Sequence, residues 1–296
     1  MKIGTTYAHP HIDYLGLDQE HSLHEMLDFG FDIVRLGCYW NECEPVEGTF
    51  NFSRMKNILD HCEERHLEVV MCVGMKAPRH PEYYIPDWLG KRSPERIETE
   101  VLRFVKVCVE ELRSYSCITH WHVENEPLDP SGPNGWAIPE ALLRKEVELV
   151  RVLDIRPIVV NFWGNELSKR GLLPLVKDYA DIVGLDIYYK VPLDRIGYWH
   201  PNDSDRKLKK IIQNFPKPVW ITELQAEPWE AGVNVSDHDN PGSMNPDLLR
   251  ENFVRVKQFD CEVILLWGFE YWLWRKSMGD TRMWDAAKEL VLREKR

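Results

Sequence analysis

The chain has 296 residues, 44% of them hydrophobic and 29% charged, with a formal net charge of −11. That length holds one large α/β barrel or two ordinary domains, and the balance excludes a disordered chain. The acidic surplus argues against nucleic acid or an anionic membrane as partner, because both select a basic face. No stretch approaches ~18 apolar residues, so no membrane-spanning helix is expected.

Seven cysteines, Cys38, Cys43, Cys62, Cys72, Cys108, Cys117 and Cys261, are scattered without a CxxC or zinc-like pairing. The count is odd and several lie in apolar runs, where a thiol behaves as a small hydrophobe. This points to a reducing compartment. Met1-Lys2-Ile3-Gly4-Thr5-Thr6-Tyr7 already reads as a strand with no signal-type run before it, so a cytoplasmic protein is expected. A trimmed leader would make it a secreted one.

Apolar β-branched runs then alternate with helical patterns. The expected strands are Lys2–Tyr7, Asp32–Gly37, Glu68–Gly74, Cys117–Val123, Pro157–Phe162, Ile182–Tyr188, Pro218–Thr222 and Val263–Trp267. The expected helices are Gln19–Phe29, Arg54–Arg65, Pro94–Tyr115, Pro139–Leu153, Asn165–Val176, Asp205–Asn214, Pro246–Gln258 and Thr281–Arg293. Ser93-Pro94 and Asn245-Pro246 each place a capping side chain before a first-turn proline. Such alternation implies a parallel sheet, and eight units close most simply into a (β/α)8 TIM barrel. An open doubly wound sheet would want a Gly-rich turn after the first strand, where the chain has Ala8-His9-Pro10-His11. With no linker, repeat or low-complexity segment, residues 1–296 read as a single catalytic barrel domain.

The fourth strand ends abruptly. Thr119-His120-Trp121-His122-Val123 runs into Glu124-Asn125-Glu126-Pro127, two carboxylates and an amide before a proline. Pro127 cannot continue a ladder and biases Glu126 towards extended backbone. The seventh strand ends in the same manner, Pro218-Val219-Trp220-Ile221-Thr222 meeting Glu223-Leu224-Gln225. The long loops, roughly Lys76–Ser93, Leu128–Ala137, Tyr189–Ser204 and Leu224–Met244, all follow strands, on the face where barrel active sites lie. They carry Tyr83, Tyr84, Trp88, Trp136, Tyr198, Trp199 and Trp229. Trp267, Phe269, Tyr271, Trp272 and Trp274 follow at the end of the last strand. Rings among acids and amides suit stacking on a sugar; the plainer reading is loop packing.

In a barrel, the ends of strands four and seven face each other, aiming Glu126 and Glu223 at one small volume. Two opposed carboxyl groups suit glycoside hydrolysis, one protonating the leaving oxygen and the other meeting the oxocarbenium carbon. Their mutual repulsion and burial are expected to push their pKa values apart.

Asn125-Glu126-Pro127 on strand four, with Glu223 ending strand seven, resembles the clan A retaining glycoside hydrolases, the 4/7 (β/α)8 enzymes, along nearly the whole chain. The resemblance implies Glu126 as general acid/base, Asn125 as partner of the sugar 2-hydroxyl and Glu223 as nucleophile. It further implies Arg35 and Tyr188 as groups that hold the nucleophile, and Trp267 as floor of the sugar site. One departure is Asp186, where some families of the clan place a histidine two residues before the strand-six tyrosine. His80, Asn161 and Glu270 are additional candidates for sugar contacts. Glu124 either hydrogen-bonds inside the barrel or touches substrate. The expected protein is therefore a retaining β-glycoside hydrolase that acts on a β-glucan, β-mannan or β-galactoside and uses neither metal nor organic cofactor. Transglycosylation uses the same intermediate and is not separated from hydrolysis by sequence.

Two rivals stand beside this reading. His9-Pro10-His11 resembles the His-x-His of metal-dependent amidohydrolases. That chemistry needs further ligands at strands five, six and eight, where the chain has Asn161, Tyr188 and Trp267. A non-catalytic sugar-binding barrel would be marked by loss of one carboxylate, and both are present.

Overall fold

The computed structural model describes residues 1–90, 93–132, 135–163, 179–193, 197–201, 204–233 and 235–295. Its framework is β1 (Lys2–Tyr7), β2 (Ile33–Gly37), β3 (Glu68–Val73), β4 (Ile118–Val123), β5 (Ile158–Trp163) and β6 (Ile182–Ile187), then β9 (Val219–Gln225) and β10 (Val263–Trp267). These form a closed barrel in the order β1-β10-β9-β6-β5-β4-β3-β2. Neighbours run parallel, as in β1 with β10 and β3 with β4. A short antiparallel pair, β7 (Val191–Leu193) and β8 (Gly197–Trp199), follows β6. All eight expected strands are found. They read as unbroken apolar runs because parallel barrel strands are covered on both faces; every residue of β2, β6 and β9 is buried.

The first compact unit holds β1, the start of β2, the later part of β6 and the chain from there onward. Its aromatic core centres on Phe29, which stacks on Phe31 at 4.5 Å and meets the edge of Trp284 at 4.7 Å. The helix Pro246–Lys257 starts as its sequence predicts: Asn245 Oδ1 accepts from the N–H groups of Asp247 and Leu248, both at 3.0 Å.

The second unit runs from Arg35 through Phe162 and includes the start of β6. Trp40 and Phe104 stack at 5.2 Å in its core, and Trp121 is fully buried. Its helix Pro94–Leu112 is capped by Ser93, whose oxygen accepts from the N–H of Arg96 at 3.3 Å. All seven cysteines are buried and none forms a disulfide.

Three readings differ from the structure. Ala8-His9-Pro10-His11 opens a helix, His9–Tyr14, with the proline in its first turn, where the missing N–H costs nothing. The aromatic run after β10 is also a helix, Phe269–Ser277. Its Phe269, Tyr271 and Trp272 are buried, with Phe269 against Phe29 and Phe31, so these rings belong to the core and not to a sugar platform. β9 extends past Thr222 to Gln225, because Leu224 and Gln225 pair with Leu266 and Trp267 of β10. The expected helix Asn165–Val176 lies outside the described residues. Among the described residues, no helix is long and apolar enough to cross a membrane.

Candidate active site

The rim of β4 is assembled by an amide network. Asn161, fully buried on β5, accepts with Oδ1 from the backbone N–H of Glu126 at 2.7 Å and lies 2.9 Å from His122 Nε2. Its Nδ2 donates to Asn125 Oδ1 at 3.1 Å, and Arg35 Nη1 donates to the same oxygen at 3.1 Å. These bonds fix the protonation pattern. Burial, reinforced by the Arg35 charge, holds His122 down at about 3, so its ring is neutral. Its Nε2 therefore carries the proton that Asn161 Oδ1 accepts, and Nδ1 is left with no partner among the described residues. Asn125, with its oxygen doubly engaged, presents its Nδ2 as the donor.

The backbone here is unusual. Glu124 and Glu126 have φ of +57° and +46°, so Glu126 is left-handed and not extended as the following proline suggests. Hydrogen bonds at both of its peptide groups override the local preference. Asn161 takes its N–H, and Lys76 Nζ donates to its carbonyl at 2.8 Å. Such strain persists only where the surroundings over-determine it, and it collects at functional sites.

Around β9, Tyr188 donates its hydroxyl to Glu223 Oε2 at 2.6 Å, a charge-assisted length. Both residues are buried. Thr222 donates to Asp186 Oδ1 at 2.7 Å. Gln225 Oε1 accepts from the N–H groups of Tyr189 and Lys190, both at 3.0 Å, and its Nε2 donates to the Lys190 carbonyl at 2.8 Å. This clip carries the chain from β6 across the end of β9. Trp163 stacks on Tyr188 at 5.5 Å, and Trp229 meets Tyr188 edge-on at 5.6 Å. Trp229 is 39% exposed, whereas the buried indole N–H of Trp163 has no partner among the described residues. Trp163 carries no signal in the sequence beyond its place at the end of strand five.

The remaining candidates separate. Asn161 braces the rim and is not positioned merely as a sugar contact. Glu270 is fully buried in the first turn of its helix and accepts from the Ala8 N–H at 2.6 Å. Trp267, half-buried at the end of β10, takes the Ala226 N–H at 3.0 Å on its carbonyl. His80 is exposed, and its carbonyl accepts from the Tyr84 hydroxyl at 3.1 Å. Glu124 hydrogen-bonds within the barrel, to Met75 and Lys76 N–H at 2.9 and 2.6 Å. The exposed loop rings are Trp136, Trp199 and Trp229; Tyr84 is core. His11 stacks on Tyr14 at 5.5 Å. Among the described residues, the group of three or more potential metal ligands includes neither His9 nor His11.

A closed barrel of eight parallel strands is the fold of the clan A retaining glycoside hydrolases, and the resemblance read from the sequence holds at that level. Residues 17–107 match the family model of glycoside hydrolase family 42, described as beta-galactosidase. Beta-galactosidase BgaA of Clostridium cellulovorans is 27% identical over 99 residues, covering 33% of this chain and 14% of that protein. The chain thus matches a small part of a much longer relative.

Solved structures resemble the chain over most of its length. Exo-beta-1,4-mannosidase Op5Man5 from Opitutaceae bacterium strain TAV5 superposes with a TM-score of 0.67 at 15% identity, over 90% of this chain and 51% of that one. The beta-galactosidase of the Antarctic haloarchaeon Halorubrum lacusprofundi gives 0.62 at 15% identity, over 90% and 52%. Xylanase 10B from Thermotoga maritima gives 0.61 at 14%, over 90% and 82%. At these identities the likeness is one of fold.

Proposed function

We propose that the chain is a retaining β-glycoside hydrolase in which Glu223 is the nucleophile and Glu126 the general acid/base. The observation that carries this reading is a buried glutamate at each of two strand ends: Glu223 stands near the end of β9 and takes the Tyr188 hydroxyl at 2.6 Å, and Glu126 follows β4 with its N–H held by Asn161 at 2.7 Å. Double displacement calls for two carboxyl groups about 5–5.5 Å apart, whereas inversion needs a wider gap to admit water.

In the first step a Glu223 oxygen attacks the anomeric carbon while Glu126 delivers its proton to the departing glycosidic oxygen. In the second, Glu126 takes a proton from water, the water oxygen bonds to the anomeric carbon, and Glu223 leaves as carboxylate. The hydrogen bond from Tyr188 orients Glu223. The Nδ2 of Asn125 is the donor suited to the sugar 2-hydroxyl oxygen, and the Trp163 indole N–H is a second. Arg35 holds Asn125. Trp229 and Trp163 offer ring faces to an apolar sugar face, with Trp267 as the floor that the resemblance implies.

Among β-linked glycans, a β-galactoside is the substrate we favour. The family model and the curated relative both carry the description beta-galactosidase, while the fold alone is shared with a mannosidase and a xylanase.

The test is chemical rescue. Glu223→Ala should abolish turnover of aryl β-galactosides, and added azide should restore it with an inverted glycosyl azide as product. Glu126→Ala should spare substrates with good leaving groups far more than those with poor ones. Full activity in the first variant, or equal losses on both substrate types in the second, would refute the assignments. A panel of aryl β-glycosides, with product anomer followed by NMR, fixes the sugar and the stereochemistry.

A further inference from the structure

Behind the β4 rim lies a second pair of acids that the proposed reaction does not use. Glu124 is fully buried, and its two oxygens accept separately from Met75 N–H at 2.9 Å and Lys76 N–H at 2.6 Å. Gly74 leaves the room for it: a Cβ there would stand 2.3 Å from the Glu124 carboxyl carbon. Glu146, on the helix Glu140–Leu153, is fully buried too and faces the Glu124 carboxyl. Neither of its oxygens meets an N–H or O–H donor among the described residues. Two buried carboxyl groups in contact, with no donor between them, are stable only when they share a proton.

The surrounding charges support that state. Lys76, fully buried, attracts Glu124, while Glu98 on the neighbouring helix adds repulsion at Glu146, and the Tyr83 phenol feels the Glu124 charge. Burial pushes Glu124 up to about 7 and drives Glu146 well above the carboxylate range. Glu146 therefore holds the shared proton and donates it towards Glu124.

The pair reaches the candidate acid/base through three short links. Glu124 fixes the peptide groups of Met75 and Lys76. The Lys76 carbonyl accepts from the Asn125 N–H at 2.8 Å. Lys76 Nζ donates to the carbonyl of Glu126 at 2.8 Å and to that of Asp129 at 3.2 Å, and it pairs with Glu82 at 3.6 Å. We propose that Glu124, braced by the proton it shares with Glu146, is a positioning residue that sets the placement of Glu126. The inference rests on the reading of Glu126 as acid/base. Losing the shared proton on the alkaline side places two carboxylates in contact, loosens the hold on the Lys76 segment and misplaces Glu126.

Four full-length proteins, wild type, Glu146→Gln, Glu146→Leu and Glu124→Gln, test this. In Glu146→Gln the new side-chain amide is a permanent donor to Glu124. That variant should keep its rate at neutral pH within about threefold, while the alkaline limb of kcat/KM moves upward or vanishes. Its melting temperature should also fall less than that of wild type between about pH 5 and pH 8. Glu146→Leu offers no donor and should not preserve the rate. Glu124→Gln should lower kcat about 10- to 100-fold on poor leaving groups, with KM near wild type and smaller losses on good leaving groups. Should Glu124→Gln fail to fold, the two Glu146 variants still decide. Superimposable pH–rate and pH–melting curves for wild type and Glu146→Gln would overturn the proposal, as would an unchanged kcat in folded Glu124→Gln. A wild-type chain that turns over no glycoside brings down the underlying assignment of Glu126, and the positioning role with it. Normal wild-type turnover with unmoved variant profiles brings down this inference alone.

Discussion

Asn161 fixes three groups of the β4 rim with one amide: the Glu126 N–H, the His122 ring and the Asn125 oxygen. The sequence marks it as a polar residue at a strand end, which is why it reads as a sugar contact. Its bracing role depends on which β4 residues stand beside it across the sheet, and cross-strand register is not written in a local pattern. Asn125, Glu126 and Glu223 are legible because a strand of apolar residues ending in acids is hard to explain by packing. Glu126's left-handed backbone is not, since the local preference set by Pro127 points the other way and only tertiary hydrogen bonds reverse it. At this scale Tyr188 offers a clean test. Tyr188→Phe removes a hydrogen bond of 2.6 Å to Glu223 and little volume. A bond to a charged group contributes about 1.5–3 kcal/mol, so kcat/KM should fall roughly 10- to 100-fold with the fold intact. An unchanged kcat/KM in steady-state assays would mean that the tyrosine does not support the carboxylate.

The elements are legible to the extent that each carries a single period. β-branched runs between turn residues locate all eight barrel strands, and proline after serine or asparagine locates two helix starts. The helix Phe269–Ser277 escapes the pattern because Phe269, Tyr271 and Trp272 are buried around it, so no polar face marks its turns. His9–Tyr14 escapes it because six residues are too few for a period to show. The turn after β3 makes the element-scale prediction. Gly74 has φ +124° and sits against the Glu124 carboxyl, so Gly74→Ala meets both backbone strain and a steric overlap. The variant should lose about 1–3 kcal/mol of stability or more in a urea titration. It should also lose activity, because the displaced carboxylate no longer holds Lys76. A variant as stable as wild type would show that this turn shifts without consequence.

For the whole molecule, two buried groups of opposite kind shape stability against pH. The folded pKa of His122 is held near 3, below its ordinary 6.5. The unfolded chain therefore binds the extra proton, and this contribution to stability is lost as pH falls from 6.5 towards 3. Glu124 is raised from 4.5 to about 7, so the folded chain keeps the proton longer. Its contribution is lost as pH rises through that window. His122→Gln keeps a donor for Asn161 without a titrating ring, so its melting temperature should drop less than that of wild type between about pH 6 and pH 4. Parallel curves would exclude His122 as the source of acid sensitivity. The ring of strands carries a different consequence. Its seam joins β1 to β10, where Thr5 donates to the Leu266 carbonyl across 261 positions of sequence. During synthesis the first strand emerges long before its final neighbour exists, and until that neighbour arrives two ladders of unsatisfied peptide groups stand open. Seam formation should therefore come late in folding, and chains stopped short of Val263 should aggregate more readily than the full chain.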